Sequence, residues 1–296
     1  MLPSERSSES GFQTSECDIL ARWFIPPWVA SRCYGLGSDY ARAILTNARW
    51  WTNIVLDGTS AELWNLLPQR FSLADLAGRV SSLGIDLDDP EFRAEVLGFL
   101  ETLHWEGLLW SEAGSNPKPE TLPQGTALAE AASNSVEADF YDWLSDRNIL
   151  PSALIELTYR CNQRCVHCFN PGAARTLGEK PGRDGYELTT AEVLGLLREL
   201  AEMGVFALSF SGGEPSLRTD LIDILQEAKR LGFAFNLCTN GQLAVALRQR
   251  VCDLWPRSVG ISLYSAVPEI HDATTGVEGS FCRALKSVRL VAASGV

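Results

Sequence analysis

From Ala153 onward, short apolar runs alternate with stretches of helical period. The runs are "ALIELT" (Ala153 to Thr158), "VFALSF" (Val205 to Phe210), "FAFNLC" (Phe233 to Cys238) and "VGISLY" (Val259 to Tyr264). Mostly apolar runs of that length predict parallel strands in a covered sheet. Between them, Thr189 to Gly204 predicts a helix: Thr189 with Glu192 forms a capping box, Val193, Leu194, Leu196, Leu197 and Leu200 point inward, and Gly204 stops it. Thr219 to Leu231, Gln242 to Leu254 and Ser280 to Ala293 repeat the pattern. Successive βα units predict an α/β fold, a partial (β/α) barrel whose chemistry belongs on the loops at the C-terminal ends of its strands.

Before this region the texture differs. "ARAILTN" and "WWTNIVL" predict two strands around a turn near Asn47, and helical patterns follow near Ala61 to Leu67, Leu73 to Ser82 and Glu91 to Gly107. Sheet followed by helices suggests a small α+β, winged-helix-like domain. Between the two regions, "SEAGSNPKPETLPQGTALAEAASN" holds three Pro and two Gly among polar residues, the composition of an exposed linker. The expected organisation is a polar tail over 1–22, the winged-helix-like domain over 23–110, a linker over 111–134 and the barrel portion over 135–296.

Charge narrows the partners. The net charge is −12 with a pI near 4.8, and Arg22 to Glu112 carries twelve acidic and seven basic residues. Such a surface repels polyanions, which argues against nucleic acid and anionic membrane as partners. No basic start leads into an apolar run, and no stretch of about eighteen uncharged apolar residues occurs. A cytoplasmic protein is expected, in which clustered cysteines point to metal or catalysis rather than to disulfides.

Three of the eight cysteines fall within eight residues, in "CNQRCVHC": Cys161, Cys165 and Cys168. They follow the first predicted barrel strand, where a loop opens on the active face. Soft thiolates suit an iron–sulfur cluster or zinc. Structural zinc usually takes four protein ligands, and His167 cannot readily share a metal with its neighbour Cys168. A [4Fe–4S] cluster held by three cysteines keeps one iron open. The remaining cysteines, Cys17, Cys33, Cys238, Cys252 and Cys282, show no ligand spacing and read as buried or incidental thiols.

With C-x3-C-x2-C after a first strand, the chain resembles the radical S-adenosylmethionine (radical SAM) superfamily. The resemblance implies two cofactors, a [4Fe–4S] cluster on Cys161, Cys165 and Cys168 and S-adenosylmethionine (SAM) on the open iron, cleaved by one electron to a 5′-deoxyadenosyl radical. It implies an external electron donor as well. "SFSGGEPSLR" resembles the family's motif for the methionine amino group and assigns Gly212, Gly213 and Glu214 to cofactor binding, the glycines letting backbone approach the ligand. "CTNG" and "ISLYSAVPEIHDATTGVEGSF" resemble the third and fourth loops and add Asn240 and Ser262. Many relatives carry Arg where Thr275 stands, which puts a charged carboxylate contact there in doubt. His271 and Asp272 read as braces of the loop.

The N-terminal region resembles the RiPP recognition element, which binds leader peptides of ribosomally made, modified peptides. Leaders there add as an extra strand and lie against the last helix, which maps to the Trp50 to Leu56 strand and the Glu91 to Trp105 helix. The expected partner is therefore a precursor peptide, and the expected enzyme a radical SAM peptide maturase. The alternatives are action on a small molecule or a folded protein, or a catalytically incomplete protein that presents a precursor to another enzyme. In SPASM-type relatives the barrel continues through further units into a domain of auxiliary clusters, and "VAASGV" would lead into a fifth strand.

Overall fold

A computed structural model describes residues 22–50, 52–112, 135–170 and 187–296. The expected tail apart from Arg22, the linker apart from Ser111 and Glu112, and Cys17 lie outside the described residues. Contacts divide the chain into two units, one holding residues up to Ile25 and from Leu63 to Lys118, the other holding Pro26–Glu62 and Pro119–Val296.

The first unit is a short antiparallel sheet with helices. Strand β1 (Arg22–Phe24) lies between β5 (Arg70–Ser72) and β6 (Trp110–Ser111). Its helices are α2 (Leu73–Val80) and α3 (Pro90–Trp105). Ser72 and Asp75 form a capping box on α2, and Asp89 caps α3 by accepting from the N–H of Glu91. The core gathers Phe71, Leu76, Val80, Leu100 and Leu103, and the Trp23 ring meets His104 edge to face at 5.4 Å.

The second unit contains two sheets. Strands β2 (Val29–Tyr34), β3 (Arg42–Asn47) and β4 (Thr52–Asp57) form an antiparallel meander, and α1 (Thr59–Leu66), whose first residues belong to this unit, follows β4. After α4 (Ser135–Asp146) come the parallel strands β7 (Ser152–Thr158), β8 (Ala207–Gly212), β9 (Ala234–Thr239) and β10 (Ser258–Ile261), ordered as in the sequence. Their connecting helices are α5 (Thr190–Glu202), α6 (Leu221–Arg230) and α7 (Val245–Asp253), with α8 (Pro268–Thr275) and α9 (Ser280–Ala293) after β10. This is the α/β architecture of a partial barrel, without closure among the described residues. One face of the sheet packs Ile155, Leu157, Leu208, Phe210, Phe235 and Leu237 against Val193, Leu197, Ile224 and Leu225 of the helices. Burial of that face drives the assembly, at roughly 25 cal/mol per Å² of apolar surface removed from water.

Residues 26–62, which the sequence pattern assigns to an N-terminal domain over 23–110, thus cluster by contact with the parallel sheet. The chemistry at that junction is specific. Tyr34 and Ile44 share a core with Phe140, Leu144, Phe206 and Ala234, and the Tyr34 hydroxyl donates to Gly204 O at 2.9 Å. Arg32 donates to Ala201 O at 3.3 Å and Leu231 O at 3.1 Å, and lies over the Phe233 ring at 5.0 Å. A cation on the last carbonyls of α5 and α6 meets the negative ends of two helix dipoles. The meander therefore seats beside the N-terminal ends of β8 and β9, leaving the strands' C-terminal ends free for chemistry.

Candidate metal centre

Strand β7 ends at Thr158, and Cys161, Cys165 and Cys168 follow within its loop, the first two half-buried and the third exposed. The end of α8 supports this loop. The Arg164 N–H donates to Thr275 O at 2.8 Å and the Val166 N–H to Thr274 O at 3.0 Å. Last-turn carbonyls have no partner within their own helix, so loop amides are natural donors for them. Gly276, with φ +65°, permits the close approach: a Cβ there would stand 3.1 Å from Arg164 O. Thr275 is buried, its hydroxyl within 2.7 Å of the Ser280 hydroxyl, so the position has a bracing role in this structure.

Each sulfur has a polar neighbour. Gln163 N–H donates to Cys161 Sγ at 3.4 Å, Cys165 Sγ donates to Gln163 Oε1 at 3.4 Å, and Cys168 Sγ donates to Asn170 O at 3.9 Å. Burial pushes the thiols of Cys161 and Cys165 up; the charge of Cys165 adds to the effect on Cys161, and that of Cys168 to the effect on Cys165. The sulfurs thus lie close enough to oppose one another's ionisation, a cost that a shared metal cation offsets. Among the described residues no three His, Cys, Asp or Glu side chains are already grouped to hold a metal ion. The donor chemistry, soft thiols in a half-buried loop, fits a [4Fe–4S] cluster held through Cys161, Cys165 and Cys168.

The ends of β8 and β9 meet this loop. Gly213 N–H donates to Thr158 O at 2.7 Å and Glu214 N–H to Arg160 O at 2.8 Å. A Cβ on Gly212, whose φ is +127°, would lie 2.3 Å from Thr158 O, and one on Gly213 would lie 2.3 Å from Arg160 O. The close approach that requires glycine is therefore made by the backbone leading into the cysteine loop, a reason the sequence alone did not supply. Glu214 is fully buried. Its Oε1 accepts from Thr239 Oγ1 at 2.8 Å and Ser216 N at 3.0 Å, and its Oε2 accepts from Asn240 N at 2.7 Å. Asn240 Nδ2 in turn donates to Asn162 Oδ1 at 2.6 Å and reaches Cys161 Sγ at 3.8 Å. Glu214 and Asn240 thereby join one network with Cys161.

Ser262 stands just past β10, its N–H on Thr239 O at 3.1 Å. Burial raises the pKa of the Tyr264 hydroxyl, with Ser262 acting to lower it and Cys165 to raise it. Tyr264 also meets His167 edge to face at 4.5 Å and stacks on His271 at 5.7 Å. Sequence reasoning passed over Tyr264, although it closes the "ISLY" run used to place the strand. His271 is fully buried, with Nδ1 accepting from Tyr264 N at 3.3 Å. Asp272 accepts from Ser280 Oγ and Phe281 N, both at 2.8 Å, across the start of α9. These contacts hold its carboxyl below the usual carboxylate range, the Phe281 amide contributing most. Both residues brace the loop. Among the other cysteines burial varies: Cys252 is buried, Cys33 half-buried, and Cys238 and Cys282 are exposed.

Residues 155–296 match the Radical SAM superfamily. The PqqA peptide cyclase of Rhizobium meliloti (strain 1021) is 36% identical over 138 residues, covering 46% of this chain and 35% of that protein. Streptococcus suis SuiB bound to precursor peptide SuiA is similar over 92% of this chain and 55% of that chain, at 18% identity and TM-score 0.49. SuiB bound to S-adenosylmethionine is similar at 20% identity and TM-score 0.47, over 92% of this chain and 55% of that chain. The chain spans about a third of the curated relative's length and about half of the SuiB chains.

Proposed function

We propose that the chain, whose residues 155–296 match the Radical SAM superfamily, is a radical SAM enzyme that modifies a ribosomally made precursor peptide. The observation that carries the reading is the convergence of Cys161, Gly213, Glu214 and Asn240, contributed after three successive parallel strands, in one hydrogen-bonded network. In this reading Cys161, Cys165 and Cys168 hold a [4Fe–4S] cluster. Gly212, Gly213 and Glu214 would hold SAM, with Asn240 and Ser262 contributing. Cluster and SAM together supply a 5′-deoxyadenosyl radical from one external electron, and the chain's residues fix geometry and exclude side reactions. The identity to a named peptide cyclase supports peptide as the substrate class.

The strand proposed to pair with a leader is β4, which among the described residues pairs only with β3. An edge strand presents unpaired N–H and C=O groups to an extended peptide, which binds through main-chain hydrogen bonds. Helix α3, the other element implied by the resemblance, belongs to the first unit. The test is to incubate the reconstituted, reduced chain with SAM and a synthetic peptide from a short reading frame beside its gene. The reading expects 5′-deoxyadenosine together with a mass change in the peptide. 5′-Deoxyadenosine with unaltered peptide counts against the peptide substrate, and none at all counts against the enzyme.

A further inference from the structure

We propose that Gln163 donates a side-chain hydrogen bond to the sulfur of Cys165 when the centre is loaded, and so acts as a positioning residue that raises the centre's reduction potential. The inference rests on the reading of Cys161, Cys165 and Cys168 as cluster ligands.

Gln163 lies between the first two cysteines with only 2% of its surface exposed. Its Oε1 accepts from the Cys165 thiol at 3.4 Å, while its Nε2 is buried with no hydrogen-bond partner. An orphaned buried donor is destabilising, and such groups call for an explanation. The two ends of the amide are related by a half-turn about its last bond. A sulfur bound to metal has no proton to give and can only accept. The orientation in which Oε1 faces Cys165 therefore suits a free thiol, and the turned orientation suits a ligand sulfur. Turning exchanges a buried orphan N–H for an under-satisfied carbonyl, the more readily tolerated of the two.

Other donors converge on the same sulfurs. The Gln163 main-chain N–H already lies 3.4 Å from Cys161 Sγ, so one residue touches two ligands. Asn240 Nδ2, after β9, reaches Cys161 Sγ at 3.8 Å. Hydrogen bonds to cluster sulfurs tune the potential. They stabilise the more negative, reduced form more than the oxidised one, so removing a donor lowers the potential.

The experiment uses the full chain, reconstituted with iron and sulfide under anaerobic conditions, as wild type and Gln163→Leu, a substitution close in size that removes both ends of the amide. The inference expects equal iron and sulfide content and a lower midpoint potential in the variant, read by redox titration followed by electron paramagnetic resonance. A tenfold fall in the ratio of reduced to oxidised centre at fixed potential corresponds to about 59 mV for one electron. It also expects the metal-free variant to melt above metal-free wild type, because the orphan is gone. An unchanged potential at equal iron content overturns it. If the leucine variant fails to hold iron, Gln163→Met is titrated instead, and loss of iron from both assigns the residue a purely structural role and overturns the inference. A wild type that takes up no iron would instead fell the cluster reading beneath it.

Discussion

The carboxylate of Glu214, after β8, accepts the main-chain N–H of Asn240, after β9, at 2.7 Å. With Thr239 Oγ1 and Ser216 N on its other oxygen, Glu214 joins two strand ends beside Cys161. Glu214→Gln places an amide NH2 against groups that themselves donate. The expected cost is about 1–3 kcal/mol, measured by urea unfolding, along with reduced iron retention. A variant as stable as wild type would show that the network does not hold the site.

Gly213 tests why glycine is needed. Because its Cβ would meet Arg160 O at 2.3 Å and Tyr159 O at 2.7 Å, Gly213→Ala forces the loop away at a cost of about 1–3 kcal/mol. Iron content and SAM response should fall together. Full iron content with only the SAM response lost would place the glycine's role at the ligand instead.

Arg218 forms a clamp behind the loop, with 5% of its side chain exposed. It holds Asp220 through paired bonds of 2.8 and 2.6 Å, and it donates to Leu157 O at 3.1 Å and Leu188 O at 2.9 Å. The Arg218 guanidinium lowers the Asp220 carboxyl to about 2, with Thr190 assisting. A depressed carboxylate stabilises the fold above its ordinary pKa, near 4, and that contribution is lost as pH falls through the folded value. Wild type should therefore lose on the order of 1–2 kcal/mol more than Asp220→Asn between about pH 5 and pH 2. Parallel pH profiles would contradict this.

The junction between the meander and the parallel sheet predicts how the chain can be divided. Tyr34→Ala should cost about 3–5 kcal/mol, and Tyr34→Phe, which loses only the bond to Gly204 O, about 0.5–1.5 kcal/mol. A fragment spanning 23–112 leaves Tyr34 and Ile44 without Phe140, Leu144, Phe206 and Ala234. It should therefore bind a hydrophobic dye that the full chain does not. Cooperative unfolding of that fragment without dye binding would instead support the self-contained domain that the sequence pattern suggests.

Much of this was legible in the residues, for physical reasons. The parallel strands announced themselves because one face of each supplies the core, as Leu208 and Phe210 do, and its partners on the other face are small. Thr189 and Glu192 marked the start of α5 because a capping box is a local interaction. Strand β2 was hidden: "VASRCY" carries Ser31 and Arg32, and its pairing depends on a sheet whose cover comes from residues over 100 positions away. Strands β1, β5 and β6 are two or three residues long, too short for any period to show. Helix α8 buries His271 and Thr275 rather than aliphatic residues, so its pattern reads as polar loop. The cysteine spacing was plain, whereas the support from Thr274 and Thr275 carbonyls was not, since a backbone acceptor leaves no mark in sequence.

The most direct test of the account is iron and acid-labile sulfide content after anaerobic reconstitution of three full-length proteins. These are wild type, the triple variant Cys161→Ala, Cys165→Ala and Cys168→Ala, and a control carrying Cys238→Ala, Cys252→Ala and Cys282→Ala. The account predicts about four iron and four sulfide per chain in wild type and control, and loss of both, with the broad visible absorption, in the first triple variant. Full iron and sulfide in that variant, with loss in the control, would contradict it.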